Sequence, residues 1–239
     1  MEKSSTKIGA ARMRFSGQLP DDATTFTWES RECDLTAKVV CKRCNETWMS
    51  DLESNHAKPS IGKMILAKAP VTITRSQIFS ISAFAFKSAV IGDHMSRKRP
   101  PFFSPESRRQ FARSLAIPPA TYVWIGCLSG DDPLHGLFKV QYGITPPRTT
   151  NGFRLYTFTW GIGRFFLQLL AWRWMRGRLR RTVVPGITQN ELWNPYSISI
   201  WPNPPLSVQW PPAGHLSNDQ MTTFSNRWKQ VHDFPASRL

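Results

Sequence analysis

The sequence predicts an α+β fold in which a cysteine-containing knuckle and several helices precede an antiparallel sheet. Apolar residues recur with a helical period between residues 74 and 94. After residue 120 they form three short runs rich in β-branched and aromatic residues, separated by turn-rich loops. With 41% apolar residues, 15 Phe and 10 Trp among 239 residues, the chain has the composition of a folded protein. Its four cysteines exclude a disulfide-dense secreted scaffold.

The N-terminal part divides into a loose polar segment, residues 1–32, and a compact unit, residues 33–60. The compact unit combines a short predicted strand (DLTAKVV), the sequence CKRC, and a helix whose apolar residues share one face. These apolar residues are Trp48, Met49 and Leu52. Because proline disfavours helical backbone in the residue before it, we expect this helix to end at Pro59.

Residues 61–119 are predicted to be a helical segment. Its longest helix, over residues 74–94, is apolar around most of its circumference, which predicts that it is largely buried. A second helix is predicted from Pro105 to about Leu115, with Ser104 as its N-cap and proline in its first position. The arginines that this helix is expected to expose are Arg108, Arg109 and Arg113.

Residues 120–239 are predicted to form the antiparallel sheet with packed helices. The runs TYVWIGCLS, GLFKVQYGI and GFRLYTFTW predict three neighbouring strands of a meander. Residues 163–176 are predicted to be helical, since Phe, Leu and Trp dominate them. Two shorter strands, SISIW and LSVQW, follow. Ser217 and Gln220 have the spacing of a capping box, which predicts a final helix.

Cys41 and Cys44 have the spacing of half a treble-clef zinc knuckle, in which a tight turn directs two thiolates at one ion. A structural zinc ion needs four ligands, and the candidates for the other two are Cys33 and His56. Two other interpretations stay open: a pair of reduced cysteines in a turn, and a redox-active dithiol like that of thioredoxin. The redox interpretation lacks the βαβ context that it requires.

The formal net charge is +15 and the sequence pI is about 10.3, which favours a polyanionic partner: nucleic acid first, an anionic membrane second. Nearly all of the excess, +14, lies between residues 61 and 180. An Arg-rich proteome would give the same total without a binding role.

The sequence contains no run near the roughly 18 apolar residues of a membrane span and no signal-peptide pattern. We therefore expect a soluble cytoplasmic protein with reduced thiols and without a membrane partner.

Two basic stretches are candidate nucleic-acid-binding segments. The denser one interleaves arginines with Trp172 and Trp174, and guanidinium groups pair with phosphates while indole rings stack on bases. Its arginines are Arg173, Arg176, Arg178, Arg180 and Arg181. On a helix, three of them would share one face. The other stretch is Arg97, Lys98 and Arg99. The alternative for both stretches is a solvated surface without a partner.

The segment KVVCKRCNETWMSDLE, followed by KPSI, resembles a stretch of uncharacterised bacterial proteins related to HNH endonucleases. Shorter matches continue through AFKSA at 85–89, VWIG, FFLQLL, SISIWP and VQWPP to Arg227-Trp228, so the resemblance covers about residues 36–229. It implies that Cys41 and Cys44 are zinc ligands and that Asn45, Trp48 and Glu53 belong to the flanking pattern. It also implies descent from a protein that binds DNA or RNA.

The sequence departs from that family where the catalytic residues would stand. HNH sites use a histidine as the general base and a divalent metal ion, together with an upstream CxxC. Residues 1–55 contain no histidine, so the first knuckle and the base-bearing strand are missing and no catalytic residue carries over. The leading prediction is a nucleic-acid-binding protein without a complete catalytic site. The alternatives are an active metal-dependent endonuclease, whose N-terminal part is truncated or whose ligands lie elsewhere, and a protein-interaction module.

Overall fold

The computed structural model describes residues 40–67, 69–94, 101–129, 136–144, 153–174 and 195–227. They form a mixed α+β fold, as the sequence predicts. The helices are α1 (Lys42–Cys44), π-helical turns at Asn45–Met49 and Leu52–Ala57, α2 (Lys58–Leu66), α3 (Arg75–Asp93), α4 (Pro105–Ser114) and α5 (Asn218–Asn226). The strands are β1 (Val71–Thr74), β2 (Thr121–Leu128), β3 (Gly136–Ile144), β4 (Phe153–Ile162), β5 (Phe165–Trp174), β6 (Ser197–Trp201), β7 (Ser207–Trp210) and β8 (His215–Leu216).

The first helical stretch, residues 42–66, runs from the cysteine pair through the π-helical turns into α2. The predicted helix after the cysteines is confirmed, with Met49 and Leu52 buried. The expectation that it ends at Pro59 is wrong. Pro59 lies in the first turn of α2, and Lys58 before it keeps helical backbone, with φ of -54° and ψ of -41°. The predicted strand at 34–40 lies outside the described residues, apart from its last position.

Helix α3 is the central helix of the fold, and its predicted position and burial are confirmed. Thr74 and Gln77 form a capping box at its start. Most of its residues are buried against the sheet and the first helical stretch, including the charged residues Lys87 and Asp93. Phe79 is an aromatic residue of α3 that is not buried, and its side chain is 39% exposed.

Helix α4 also begins as predicted, with the Ser104 side chain accepting a hydrogen bond from the Ser107 N–H. It ends at Leu115, whose φ of 53° places it in the left-handed region. Arg109 and Arg113 are exposed as expected, but Arg108 is half-buried. Its guanidinium contacts the Nε2 atom of His94, at the end of α3, so the expectation of an exposed Arg108 is wrong.

The main sheet has the strand order β3-β4-β5-β2-β6, and the short β8 pairs in parallel with β2. The three predicted strands exist, but the predicted meander is wrong because β2 pairs with β5 and β6 rather than with β3. The meander is β3-β4-β5 instead. Its third strand occupies residues that the sequence predicts to be helical, 163–176, so that prediction is also wrong.

The two faces of this sheet are covered differently. Phe165, Leu167 and Leu169 of β5 belong to the large core that also includes α3. Phe166, on the opposite face, packs in a smaller cluster with Met221 and Phe224 of α5. The capping box at Ser217 is confirmed.

The two late strands predicted from SISIW and LSVQW are confirmed as β6 and β7, and β7 pairs with β1 in a separate two-stranded sheet. Within the described ranges, no helix has the length and apolar character needed to cross a membrane.

Candidate nucleic-acid interface

Two arginines lie on adjacent strands at one end of the main sheet, where β4 begins and β5 ends, and a third lies on α4. Arg154 and Arg173 are directly opposite each other in the β4–β5 ladder. The Arg173 guanidinium lies over the ring of Phe102, with its Cζ atom 5.2 Å from the ring centroid. Arg108 follows on the first turn of α4. We call Arg108, Arg154 and Arg173 the basic corner; all three are half-buried.

The aromatic platform beneath Arg173 is held from several sides. The Phe102 ring stacks on Tyr156, with centroids 5.4 Å apart and an interplanar angle of 28°. The Tyr156 hydroxyl donates a hydrogen bond of 2.9 Å to the Ala89 carbonyl of α3. The buried Asp93 carboxylate accepts one of 3.0 Å from the Phe103 N–H. Burial raises the pKa of Tyr156 well above its usual value, so the platform is uncharged at neutral pH.

Arg108 is positioned by contacts on both sides of its guanidinium. One Nη atom contacts His94, and Nε lies 3.4 Å from the Ser104 carbonyl oxygen. A histidine nitrogen that accepts a hydrogen bond from arginine must be unprotonated, so the positive charge of this pair lies on Arg108.

Of the predicted nucleic-acid-binding residues, Arg173 is described and the others lie outside the described residues. These others are Arg97, Lys98, Arg99, Arg176, Arg178, Arg180 and Arg181. Arg173 stands on a strand, so the predicted helical face that begins with it is wrong. Trp172 is 4% exposed, so its ring is not available to stack on a base.

In the sequence, both basic stretches adjoin residues of the basic corner or their contacts. The stretch containing Arg97 follows His94, the contact of Arg108, and precedes Phe102, the platform of Arg173. Arg173 belongs to the denser stretch, and the next arginine, Arg176, follows three residues later. Sequence reasoning missed Arg154, because a single arginine in the apolar run GFRLYTFTW gives no signal of a partner across a ladder.

The two predicted zinc-ligating cysteines form a thiol pair at the start of the first helical stretch. Cys41 is the exposed N-cap residue, and its Sγ atom accepts a hydrogen bond of 3.3 Å from the Cys44 N–H. The Cys44 thiol also donates to Cys41, which lowers the pKa of Cys41 and raises the pKa of Cys44. Cys41 is therefore the thiol that ionises first, and its thiolate is the metal-binding form of cysteine.

The other two predicted zinc ligands are placed differently. Cys33 lies outside the described residues. The Nε2 atom of His56 lies 3.3 Å from the Asp51 carboxylate, on the next turn of the helical stretch. Within the described part of the chain, no three His, Cys, Asp or Glu side chains are grouped so that they could hold a metal ion. The thiol pair therefore offers two of the four donors that a structural zinc ion needs.

No protein-family model, no curated protein and no solved structure matches this chain.

Proposed function

We propose that this protein binds nucleic acid at the basic corner, and that it descends from HNH endonucleases without keeping a complete catalytic site. The observation that carries the proposal is the placement of Arg154 opposite Arg173 and of Arg173 over Phe102, six residues before Arg108, which contacts His94. Guanidinium groups pair with phosphates through two parallel hydrogen bonds, so these arginines suit a phosphate backbone.

The packing of these arginines supports binding rather than simple solvation. A free arginine side chain loses up to about 2 kcal/mol of rotamer entropy when it is fixed on a ligand. Arg173 is already restrained by Phe102 and Arg108 by His94, so part of this loss precedes binding. Restrained cations on a rigid sheet end give tighter phosphate contacts than the same charges on flexible side chains.

A structural zinc ion on Cys41 and Cys44 belongs to the same proposal. The lowered pKa of Cys41 and the close approach of the two thiols fit the thiolate donors of a zinc knuckle. Zinc at this position would fix the start of the first helical stretch. Two further donors would complete the tetrahedron, and Cys33 is the candidate that the sequence supplies.

The proposal is tested by the salt dependence of binding to DNA and RNA. In a variant with Arg108→Gln, Arg154→Gln and Arg173→Gln, we expect weaker binding that is similar across sequences. We also expect the slope of log K against log salt to fall by up to about one per lost phosphate contact. Arg173→Lys keeps the charge and should keep the slope.

Lys63→Gln is the control for loss of a positive charge away from the basic corner. Lys63 is exposed on α2, and its neighbour Ile65 lies beside Gly163, in the turn at the opposite end of the β4–β5 hairpin. Loss of this one charge, against three in the triple variant, should leave the slope unaltered. If the slope of the triple variant is unaltered as well, the basic corner is a solvated surface and does not contact phosphates. Salt-independent binding to an apolar protein surface would favour the interaction-module alternative.

A further inference from the structure

A cavity of about 550 Å³ opens between the first helical stretch, the start of α3 and the end of α4. We call it the α3 groove. Its apolar lining comes from Leu52, Phe79 and Leu115, and its polar lining includes Arg75 and His56. It shares no residue with the basic corner or with the thiol pair.

The α3 groove presents one aromatic ring and one unpaired cation. Phe79 is the aromatic residue among the large hydrophobic side chains that are exposed in the described part of the chain. Its ring is held edge-on against Trp201, with centroids 6.2 Å apart. Arg75 is exposed, and no carboxylate of the described residues forms an ion pair with it, whereas His56 is paired with Asp51.

Helix α4 connects this groove to the basic corner. It begins near Arg108 and ends at Leu115, which lines the groove, and these two residues are about 10 Å apart along the helix axis. The exposed residues Arg109 and Arg113 lie between them, four residues apart and therefore on one side of the helix. A polyanion bound at the basic corner and running along α4 would pass these two arginines, and so stay close to positive charge, before it reached the groove.

We propose that the α3 groove binds one unpaired nucleotide of the bound strand, with its base against Phe79 and its phosphate at Arg75. This inference rests on the proposed nucleic-acid binding and names the form of the ligand: a strand with at least one unstacked base. A purely apolar ligand would leave Arg75 unmatched, and an isolated phosphate would leave the apolar lining unmatched. A nucleotide matches both, because every base has an aromatic face beside its phosphate.

The test compares a single-stranded oligonucleotide with a blunt duplex of the same length. We expect Phe79→Leu to weaken binding of the single strand between about fivefold and a hundredfold, and binding of the blunt duplex less than twofold. Leucine keeps an apolar side chain against Trp201 but removes the aromatic face. Because no charge is lost, the salt slope of this variant should equal that of the wild type. Arg75→Gln should lower the slope for the single strand by about 0.7.

The control is Leu66→Ala, which removes an apolar side chain that is 77% exposed and lies outside the groove. Equal loss of single-strand binding in Leu66→Ala and Phe79→Leu would overturn the inference, as would unchanged binding in both groove variants. These outcomes differ from failure of the proposed function, which would appear as an absence of salt-dependent binding to either nucleic acid by the wild type. If the basic-corner variant loses binding while Phe79→Leu does not, the proposed function stands and the α3 groove is excluded from it.

Discussion

At the scale of single residues, an ion pair between Lys87 and Glu53 joins the first helical stretch to α3. The Lys87 ammonium contacts one oxygen of Glu53, and the Lys58 ammonium lies 3.8 Å from the other. The Lys87 side chain is 5% exposed and the Glu53 side chain 30% exposed. Both residues fall in sequence segments that carry the resemblance to the HNH-related proteins. Their contact gives those segments a structural role, since it fixes the helix that follows the thiol pair against the core.

Removing the Glu53 carboxylate should destabilise the fold more than removing the Lys87 ammonium. Glu53→Gln leaves Lys87 buried without its counter-charge, and we expect a loss of about 2–3 kcal/mol in the free energy of unfolding, given that Glu53 is partly exposed. Lys87→Met replaces the ammonium with an apolar group of similar length, so it should cost less than Glu53→Gln. Denaturant unfolding of both variants measures the difference. Equal losses would mean that packing, rather than charge, governs this contact.

The same lysine makes stability depend on pH in a defined direction. Burial lowers the pKa of Lys87 to about 8 from its usual 10.5. Below pH 8 both the folded and the unfolded chain hold the proton, so this group contributes no slope. Between pH 8 and about 10.5 the unfolded chain holds a proton that the folded chain has released, and the folded state gains stability as pH rises. Relative to Lys87→Met, the free energy of unfolding of the wild type should rise by up to about 3 kcal/mol across this window. This is an upper limit, because the negative charge of Glu53 opposes the lowering of the Lys87 pKa.

At the scale of the element, the error over residues 163–176 shows where a local pattern fails. Strand β5 is buried on both faces, by α3 on one side and α5 on the other. A strand buried on both faces is apolar at nearly every position. It therefore lacks the alternation of apolar and polar residues that would distinguish it from a buried helix. The local signal for a strand was Gly163, whose φ of 55° is needed in the hairpin turn before β5.

Other elements could be predicted because their signals are local. The predicted caps at Ser104 and Ser217 are set by residues within one helical turn, and they mark helix starts that the structure contains. The candidate sites follow the same division. The thiol pair and the basic stretches are visible in the sequence, whereas Arg154 and the α3 groove depend on strand register and on contacts between elements far apart in the chain.

The thiol pair predicts a measurable zinc content. We expect about one zinc ion per chain in purified protein, and its loss in a variant with Cys41→Ser and Cys44→Ser. Cys127→Ala is the matched control, because Cys127 is buried in the core and burial raises its pKa. This variant should keep its zinc. Wild-type protein that contains no zinc and still unfolds cooperatively would contradict the prediction.

At the scale of the whole molecule, both faces of the sheet are packed, and the proposed interface lies on the side covered by α3 and α4. Helices α3 and α4 lie on the face of the sheet that carries Phe158 and Phe165, and the basic corner and the α3 groove lie near opposite ends of α3. The polar network on the other face instead joins Gln168, Thr159 and Arg227 inside the protein. The proposed interface therefore uses cations on the helical side, while the opposite face uses its buried arginine for packing.

This arrangement predicts binding without cleavage. Hydrolysis of a phosphodiester needs a group that activates water and a metal ion that stabilises the developing charge; general-base help alone contributes about 10²–10⁴ in rate. Among the described histidines, His94 contacts Arg108 and His215 contacts Arg164. His56 is oriented by Asp51 in the α3 groove, but no third metal-binding side chain joins them in the residues that the structure describes.

We therefore expect no nicking of plasmid, linear duplex or single strands by the purified protein with Mg²⁺, Mn²⁺ or Ni²⁺. Wild type and His56→Ala should be purified in parallel, because a contaminating nuclease would give equal activity in both. His56 is 55% exposed, so its removal should leave the fold intact. Metal-dependent nicking by the wild type that disappears in His56→Ala, with single-strand binding retained, would contradict the prediction. It would make His56 the general base of an active endonuclease, with the α3 groove as the place where the scissile strand is held.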